Sequence, residues 1–324
     1  MNEKNGQITR RDFINRLGLA AGGMAALSPA AFAAGAGKKQ AAPLAKRVIL
    51  LALDGICVEG FNKAKTPHLE LLMERGAFSL DTRVVMPSVT LPNWTSHLTG
   101  SGPEQHGVFN NNWTLEKAGA KSACPPVRKD GEGYYPSVFQ ILKERLPSCR
   151  TAFYWNWKPL ILPYHRKYLD ETGFLDRDAY AENYEKALRF IKKNRSVPTV
   201  TFLYSVHTDH AGHKHQWMSP EYIKSIEEAD GQIGRFLREL EQEGLLGDSH
   251  IFFLTDHGGT GYGHGGTSAA EMIVPWGIAG PGIKRNFRIE EPNNTVNTAP
   301  MILHLFGLES PDAWTGEVLE SVFR

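Results

Sequence analysis

Uninterrupted apolar runs that end at acidic residues constrain this chain more than any other feature. Residues 47–53, 151–155, 199–205, 250–255 and 272–279 are continuous in apolar character rather than alternating. A strand with one wet face alternates, whereas a strand covered on both faces does not. The segments between these runs carry helix signals. Thr66-Pro67 and Ser219-Pro220 each place a capping residue before a proline at the first helical position, and Gly76 and Gly244 are natural stops. A further helix is expected over 178–193. Strands alternating with helices predict an α/β fold: a three-layer α/β/α sandwich with a mainly parallel central sheet.

The amino-terminal end stands apart from this pattern. Thr9-Arg10-Arg11-Asp12-Phe13 precedes a weakly apolar stretch that closes on Ala31-Phe32-Ala33. That is the form of a twin-arginine export signal, so residues 1–33 are expected to direct the chain to the periplasm. Residues 34–46 read as a Gly/Ala/Lys linker and 47–324 as a single domain. Twin-arginine export carries proteins already folded.

Removing the signal takes away four positive side chains (Lys4, Arg10, Arg11, Arg16) and two negative ones (Glu3, Asp12), moving the formal charge from +1 to −1. A near-neutral protein lacks the global field that holds a phosphate backbone, so no nucleic acid polymer is expected as partner. No run offers the roughly 18 uncharged apolar residues of a membrane span, so no membrane anchor is expected. Cys57, Cys124 and Cys149 form an odd set that implies no disulfide framework; a Cys124–Cys149 bridge and free buried thiols both remain open.

Polar residues of interest gather where the apolar runs end. Asp54 follows VILLAL, Asp209 comes just after TFLYSV, and Asp256-His257 follow IFFLT. Three acidic groups would therefore share the carboxyl edge of one sheet, the edge where ligands bind in open α/β folds. Any one of them could be a helix cap or turn residue. Together Asp54, Asp209, His213, Asp256, His257 and His264 make a mixed oxygen and nitrogen set suited to Zn²⁺ or a similar divalent ion. Buried without cations, the carboxylates would repel one another and suffer desolvation. Six ligands exceed one tetrahedral ion and suit two.

A nucleophile is suggested by PSVTLPNWTSHLTG, residues 87–100, where Thr90 could be held as an alkoxide by metal. Taken alone, that stretch reads more simply as a loop capping a helix from Asn93. His207, His210 and His215 lie around the Asp209/His213 pair and read as outer or solvated groups, and His97 and His106 as helix and turn residues.

Taken in order, VILLALDGI, TPHLELLMERGA, MPSVTLPNWTSHLTGSGPEQHGVFNNN, DHAGH, TDHGGTGYGHGG, VPWGIAGPGI and NTAPMILHLFGLESPDAWTG resemble the alkaline phosphatase superfamily, and within it the type I phosphodiesterase/nucleotide pyrophosphatase branch. The resemblance implies an alkaline phosphatase-like domain with two divalent metal ions, zinc by preference. It implies Asp54, Thr90, Asp256 and His257 at one ion and Asp209, His213 and His264 at the other. Thr90 would be the nucleophile. Asn111, 21 residues beyond it, would donate to a phosphate oxygen. Tyr204 falls where nucleotide-cleaving members stack a base, although a core tyrosine is the better reading.

One departure bears on substrate. His264 follows His257 by only seven residues, where typical nucleotide pyrophosphatases carry a long insertion. The compact spacing looks more like phosphoethanolamine transferases and smaller phosphodiesterases. The expected activity is a metal-dependent phosphodiesterase acting on a small-molecule phosphate ester; a phosphomonoesterase, a phospho-group transferase or a phosphonate hydrolase would use the same core. A non-catalytic metal-binding protein is the reading from another class, and it needs neither Thr90 nor Asn111. Trp113, Tyr134, Tyr135, Trp155 and Trp157 could rim the site or simply pack.

Overall fold

The computed structural model describes residues 43–118, 130–176 and 179–324. The expected export signal, residues 34–42 of the linker, Cys124 and the first residue of the helix expected over 178–193 lie outside them. Eight strands form one sheet: β1 (Arg47–Leu53), β2 (Gly76–Arg83), β3 (Arg150–Trp155), β4 (Glu171–Phe174), β5 (Thr199–Ser205), β6 (Ser249–Leu254), β7 (Ile273–Ala279) and β8 (Phe287–Arg288). Their spatial order is β4-β3-β5-β1-β6-β7-β2-β8. From β4 to β6 all neighbours run parallel; β7 is antiparallel to both β6 and β2.

The longer described helices are α1 (Pro67–Glu74), α2 (Thr90–Thr99), α3 (Val138–Arg145), α4 (Ala181–Lys193), α5 (His207–His215), α6 (Pro220–Gln242) and α7 (Thr298–Leu305). The period-2 geometry of β1 divides the core between two faces. Val48, Leu50 and Ala52 pack with Leu91, Trp94, Val138 and Met301, and therefore against α2, α3 and α7. Ile49, Leu51 and Leu53 pack with Leu69, Tyr184, Tyr222 and Ile226, and therefore against α1, α4 and α6. Every residue of β1 is buried, which is why its sequence is continuous rather than alternating. Layers on both faces of the sheet make the α/β/α sandwich expected from the pattern.

The five apolar runs became β1, β3, β5, β6 and β7. The remaining strands escaped notice because β2 is mixed in polarity, β4 is a half-exposed edge of four residues and β8 has two. Gly76, expected to stop a helix, is the first residue of β2, and α1 ends at Glu74. Ser219 caps α6 by accepting from the Tyr222 N–H, and Gly244 takes a left-handed φ of 66° just past its end, both as expected. No described helix is long and apolar enough to cross a membrane.

Candidate metal centre and nucleophile

Adjacent strands β5, β1 and β6 deliver the acidic residues to one edge of the sheet. Asp54 follows β1 directly, Asp256 and His257 follow β6, and Asp209 lies in the first turn of α5, just beyond β5. His213 is one helical turn after Asp209, so the two side chains share a face of α5. The β1 exit must be glycine for this convergence. Gly55 has φ of 74°, and a Cβ there would stand 2.9 Å from the Cα of Asp209.

The side chains form two clusters, Asp54/Asp256/His257 and Asp209/His213/His264, each with its donor atoms within 4.8 Å of one another. His257 Nε2 lies 3.4 Å from Asp54 Oδ1 and 3.3 Å from Asp256 Oδ2. In the second cluster Asp209 Oδ1 is 3.5 Å from His213 Nε2 and 3.6 Å from His264 Nε2. The rings of His257 and His264 stack at 3.7 Å between centroids, which places the clusters side by side.

These contacts are not hydrogen bonds. Nδ1 of His213, His257 and His264 meets the backbone carbonyls of Tyr262, Gly258 and Ser88 at 2.9, 2.8 and 2.9 Å. A carbonyl only accepts, so each Nδ1 carries a proton and each ring turns its Nε2 toward a carboxylate; in His257 and His264, which burial keeps neutral, that Nε2 is a lone pair. The facing oxygens, Asp54 Oδ1, Asp209 Oδ1 and Asp256 Oδ2, are buried and have no hydrogen-bond partner. Lone pairs set against orphaned carboxylate oxygens repel unless a proton or a metal cation lies between them. Ligands about 2.1 Å from a tetrahedral zinc stand about 3.4 Å apart, which is the spacing observed. The donor set fits two such ions, and the backbone carbonyls fix the histidine tautomer as the partners of metal-bound imidazoles commonly do.

The electrostatics agree. Burial, followed by the negative charge of Asp209, pushes Asp54 well above the usual carboxylate range; burial and then Asp54 do the same to Asp256. Burial raises Asp209 to about 7. Burial also drives His257 well below the ordinary histidine value and lowers His264. Without cations the centre would hold protons on its carboxylates, and a divalent ion can take their place.

Thr90 is the first residue of α2, three residues earlier than the helix start expected at Asn93. Its hydroxyl lies 3.2 Å from His257 Nε2, against the first cluster. The next residue, Leu91, donates its N–H to Asn111 Oδ1 at 2.8 Å, so the Asn111 amide is held beside Thr90 with Nδ2 left as a donor. The backbone around Thr90 is locked as well. Asn93 Oδ1 accepts from Val85 N–H while its Nδ2 meets the carbonyls of Val85, Pro87 and Val89. Ser88 Oγ donates to the Gly266 carbonyl at 2.8 Å and accepts from the Gly265 N–H at 3.1 Å, tying the nucleophile loop to the His264 loop.

All eight residues singled out in the sequence therefore converge: Asp54, Thr90, Asn111, Asp209, His213, Asp256, His257 and His264. Tyr204 is fully buried and donates to Asp54 Oδ2, so it supports a carboxylate from within the core and offers no face for a base. His97 and His106 are buried in and beside α2, and His207 Nε2 meets the Ser225 carbonyl. Trp113, Tyr135 and Trp155 pack in the core, so they do not rim the site. Met86, Phe109 and Tyr262, each two residues from Ser88, Asn111 or His264 in the chain, are exposed apolar side chains, unremarked in the sequence because nothing there separates a wet aromatic from a packed one. Trp217 was missed too. Its ring lies against His213 and His264, and its Nε1 donates to the Gly55 carbonyl at 2.9 Å.

Comparison with known proteins agrees with this geometry. Residues 48–268 match the sequence profile of the family described as type I phosphodiesterase / nucleotide pyrophosphatase. An uncharacterized pyrophosphatase/phosphodiesterase of Schizosaccharomyces pombe is 26% identical over 215 residues, 65% of this chain and 44% of that protein. The bis(5'-adenosyl)-triphosphatase of Pongo abelii is 25% identical over 228 residues, 67% of this chain and 48% of that one. The chain thus spans less than half the length of these curated relatives. Murine ectonucleotide pyrophosphatase/phosphodiesterase 5, solved in complex with AMP, shares the fold with a TM-score of 0.71 at 14% identity, over 86% of this chain and all of that one. With motif order, sheet topology and sequence profile in agreement, the chain belongs to the type I phosphodiesterase/nucleotide pyrophosphatase family of the alkaline phosphatase superfamily.

Proposed function

We propose that this chain is a periplasmic hydrolase that cleaves small phosphate diesters through Thr90, using two divalent cations, preferably zinc. The observation that carries the reading is the set of three orphaned carboxylate oxygens, each faced by a histidine lone pair, beside a threonine hydroxyl. Asp54, Asp256, His257 and Thr90 would hold one ion, and Asp209, His213 and His264 the other. When bound, such ions acidify the hydroxyl and a water and neutralise charge on phosphoryl and leaving oxygens.

The chain's own residues supply the rest. Thr90 Oγ1 forms the new bond to phosphorus as the bond to the leaving alcohol's oxygen breaks, giving a phospho-threonine ester that water then hydrolyses. Asn111 Nδ2 donates to a non-bridging oxygen, pre-positioned by the bond from Leu91 N–H to its Oδ1. Position at the amino end of α2 adds a favourable dipole for the phosphoryl charge.

A diester reading is supported by Met86, Phe109 and Tyr262, exposed apolar residues two positions from Ser88, Asn111 and His264 in the chain, which would offer surface to a second organic substituent on phosphorus. The relative named as a bis(5'-adenosyl)-triphosphatase and the AMP complex of the structural neighbour accord with a nucleoside phosphate ester in that role. The deciding assay compares the zinc-loaded protein on bis-(p-nitrophenyl) phosphate, the p-nitrophenyl ester of thymidine monophosphate and p-nitrophenyl phosphate. Diesters are expected to be turned over with the higher kcat/KM, and a clear preference for the monoester overturns the reading. Periplasmic location rests on the Thr9–Phe13 motif alone; replacing Arg10 and Arg11 with Lys should retain the protein in the cytoplasmic fraction.

A further inference from the structure

A cavity lies at the edge of the sheet opposite the candidate metal centre. Its volume is 840 Å³, within the range of small-molecule pockets, and its wall includes Ser249 and Ile251 at the start of β6 and Ala279 at the end of β7. The metal centre follows the other end of β6. Six residues of strand at about 3.3 Å each separate the two edges by about 20 Å.

The cavity has an apolar floor and a cationic rim. Leu72, Leu237 and Ile251 form part of the floor, and Leu71 reaches it while 40% exposed. Arg75, Arg238 and Arg285 stand on the rim, and among the described residues none of the three is joined to a carboxylate. Arg324 also lines the cavity, its Nε donating to the Ile283 carbonyl at 3.0 Å, and Glu241 is the acidic side chain in the lining, so guanidinium charge exceeds side-chain carboxylate charge there.

The fold brings these like charges together through fixed backbone contacts. Asn286, in the left-handed region at φ of 46°, donates its N–H to the Glu74 carbonyl at 2.9 Å. Arg285 and Arg75 are the immediate chain neighbours of those two residues, and both line the cavity. Gly234 in α6 completes the shape: a Cβ there would come within 2.1 Å of the His68 ring, which lies directly on the helix.

Unpaired guanidiniums around an apolar hollow recognise one kind of ligand, because the arginines need an anion and the floor needs hydrocarbon. We propose that this cavity binds a small amphipathic anion, an apolar chain or ring system ending in one acidic group, at a site separate from the metal centre. Binding there does not depend on the proposed activity and is tested without it.

Sodium decanesulfonate, which carries no hydrolysable phosphate, is the probe, titrated calorimetrically below its micelle concentration into the zinc-loaded protein. One equivalent is expected to bind, at least tenfold more tightly than methanesulfonate, which lacks the tail, or decyltrimethylammonium, which reverses the charge. The double variant Arg238→Gln/Arg285→Gln should weaken binding tenfold or more while leaving the melting temperature and diesterase turnover unchanged. Leu237→Asp, at the floor, should do the same to binding, giving a second variant should the first lose stability. Undiminished affinity in the folded variants, equal binding of the cationic surfactant, or equal binding of methanesulfonate overturns the proposal.

Discussion

The Tyr204 hydroxyl donates to Oδ2 of Asp54, the carboxylate whose Oδ1 faces His257 Nε2 at 3.4 Å. A fully buried phenol thus fixes the rotation of a fully buried acid and leaves one oxygen for a cation. Trp94 Nε1 contributes a longer contact to the same oxygen, 3.4 Å. Tyr204→Phe keeps the ring packing and removes only the hydroxyl. It is expected to lower zinc affinity and kcat by about tenfold to a hundredfold, the usual effect of losing a support of a metal ligand. Zinc titration with parallel steady-state kinetics checks this, and wild-type values in both would show that Asp54 orients itself.

Thr90 touches His257, yet most of the donor set is independent of it. Thr90→Ala should therefore abolish turnover while the protein retains both equivalents of zinc, whereas Thr90→Ser, which keeps the hydroxyl, should retain a measurable fraction. Metal content by atomic absorption and rates on a diester separate these outcomes. Robust turnover by the alanine variant removes Thr90 from the mechanism.

Chelation should destabilise the fold, because Asp54, Asp209 and Asp256 each keep an orphaned buried oxygen once no cation faces it. Treatment with a chelator is expected to lower the melting temperature by several degrees, with recovery on adding zinc. A ligand at a thousandfold excess over its Kd stabilises by about 4 kcal/mol, enough for its removal to register in a melt. Identical melting curves with and without chelator would count against a metal centre.

Much of this was legible in the chain, and the reasons are physical. β1, β5 and β6 are buried on both faces, so their runs are unbroken and the acids that end them stand out. The ligands follow those runs closely, and for that reason the site was readable along with the sheet. Tyr204 was harder to place: a core tyrosine and a base-stacking one occupy the same position in the string, and only the Asp54 contact distinguishes them. Trp217 touches His213 and His264 across a loop, and the exposed Phe109 and Tyr262 depend on tertiary packing, neither of which leaves a periodic trace. The start of α2 at Thr90 was hidden because its capping residue, Val89, offers no capping side chain.

Ser88 links the two loops that carry Thr90 and His264. Its hydroxyl bonds the backbone of Gly265 and Gly266, and its carbonyl accepts from His264 Nδ1. Ser88→Ala leaves the carbonyl in place and removes both hydroxyl contacts, so the His264 loop should loosen without losing its ligand. Zinc should bind more weakly at one of two sites, with kcat reduced about tenfold. A thermal melt of the metal-free variant within a degree or so of the metal-free wild type would keep the effect at the centre; a collapse of the fold would assign Ser88 to general packing.

His106 should make the protein acid-sensitive through a route separate from the metal ligands. Its Nδ1 accepts from the Val108 N–H at 3.1 Å, so the proton sits on Nε2, 3.0 Å from Ser96 Oγ, in a fully buried ring. Burial lowers its pKa to about 3 from the ordinary 6.5. Between those values the unfolded chain binds a proton that the folded chain refuses, so stability present above pH 6.5 is lost as the pH falls toward 3. At 1.36 kcal/mol per unit, lowering the pH to about 4.5 should remove on the order of 2–3 kcal/mol. His97, also lowered to about 3 by burial, adds a parallel loss that is common to wild type and variant. His106→Gln has no such titration. Urea unfolding of both proteins under chelator should therefore show the wild type's advantage over the variant shrinking as the pH falls from about 7 to about 4.5. Parallel stability curves would mean that the folded chain admits a proton at His106, against the bond from Val108.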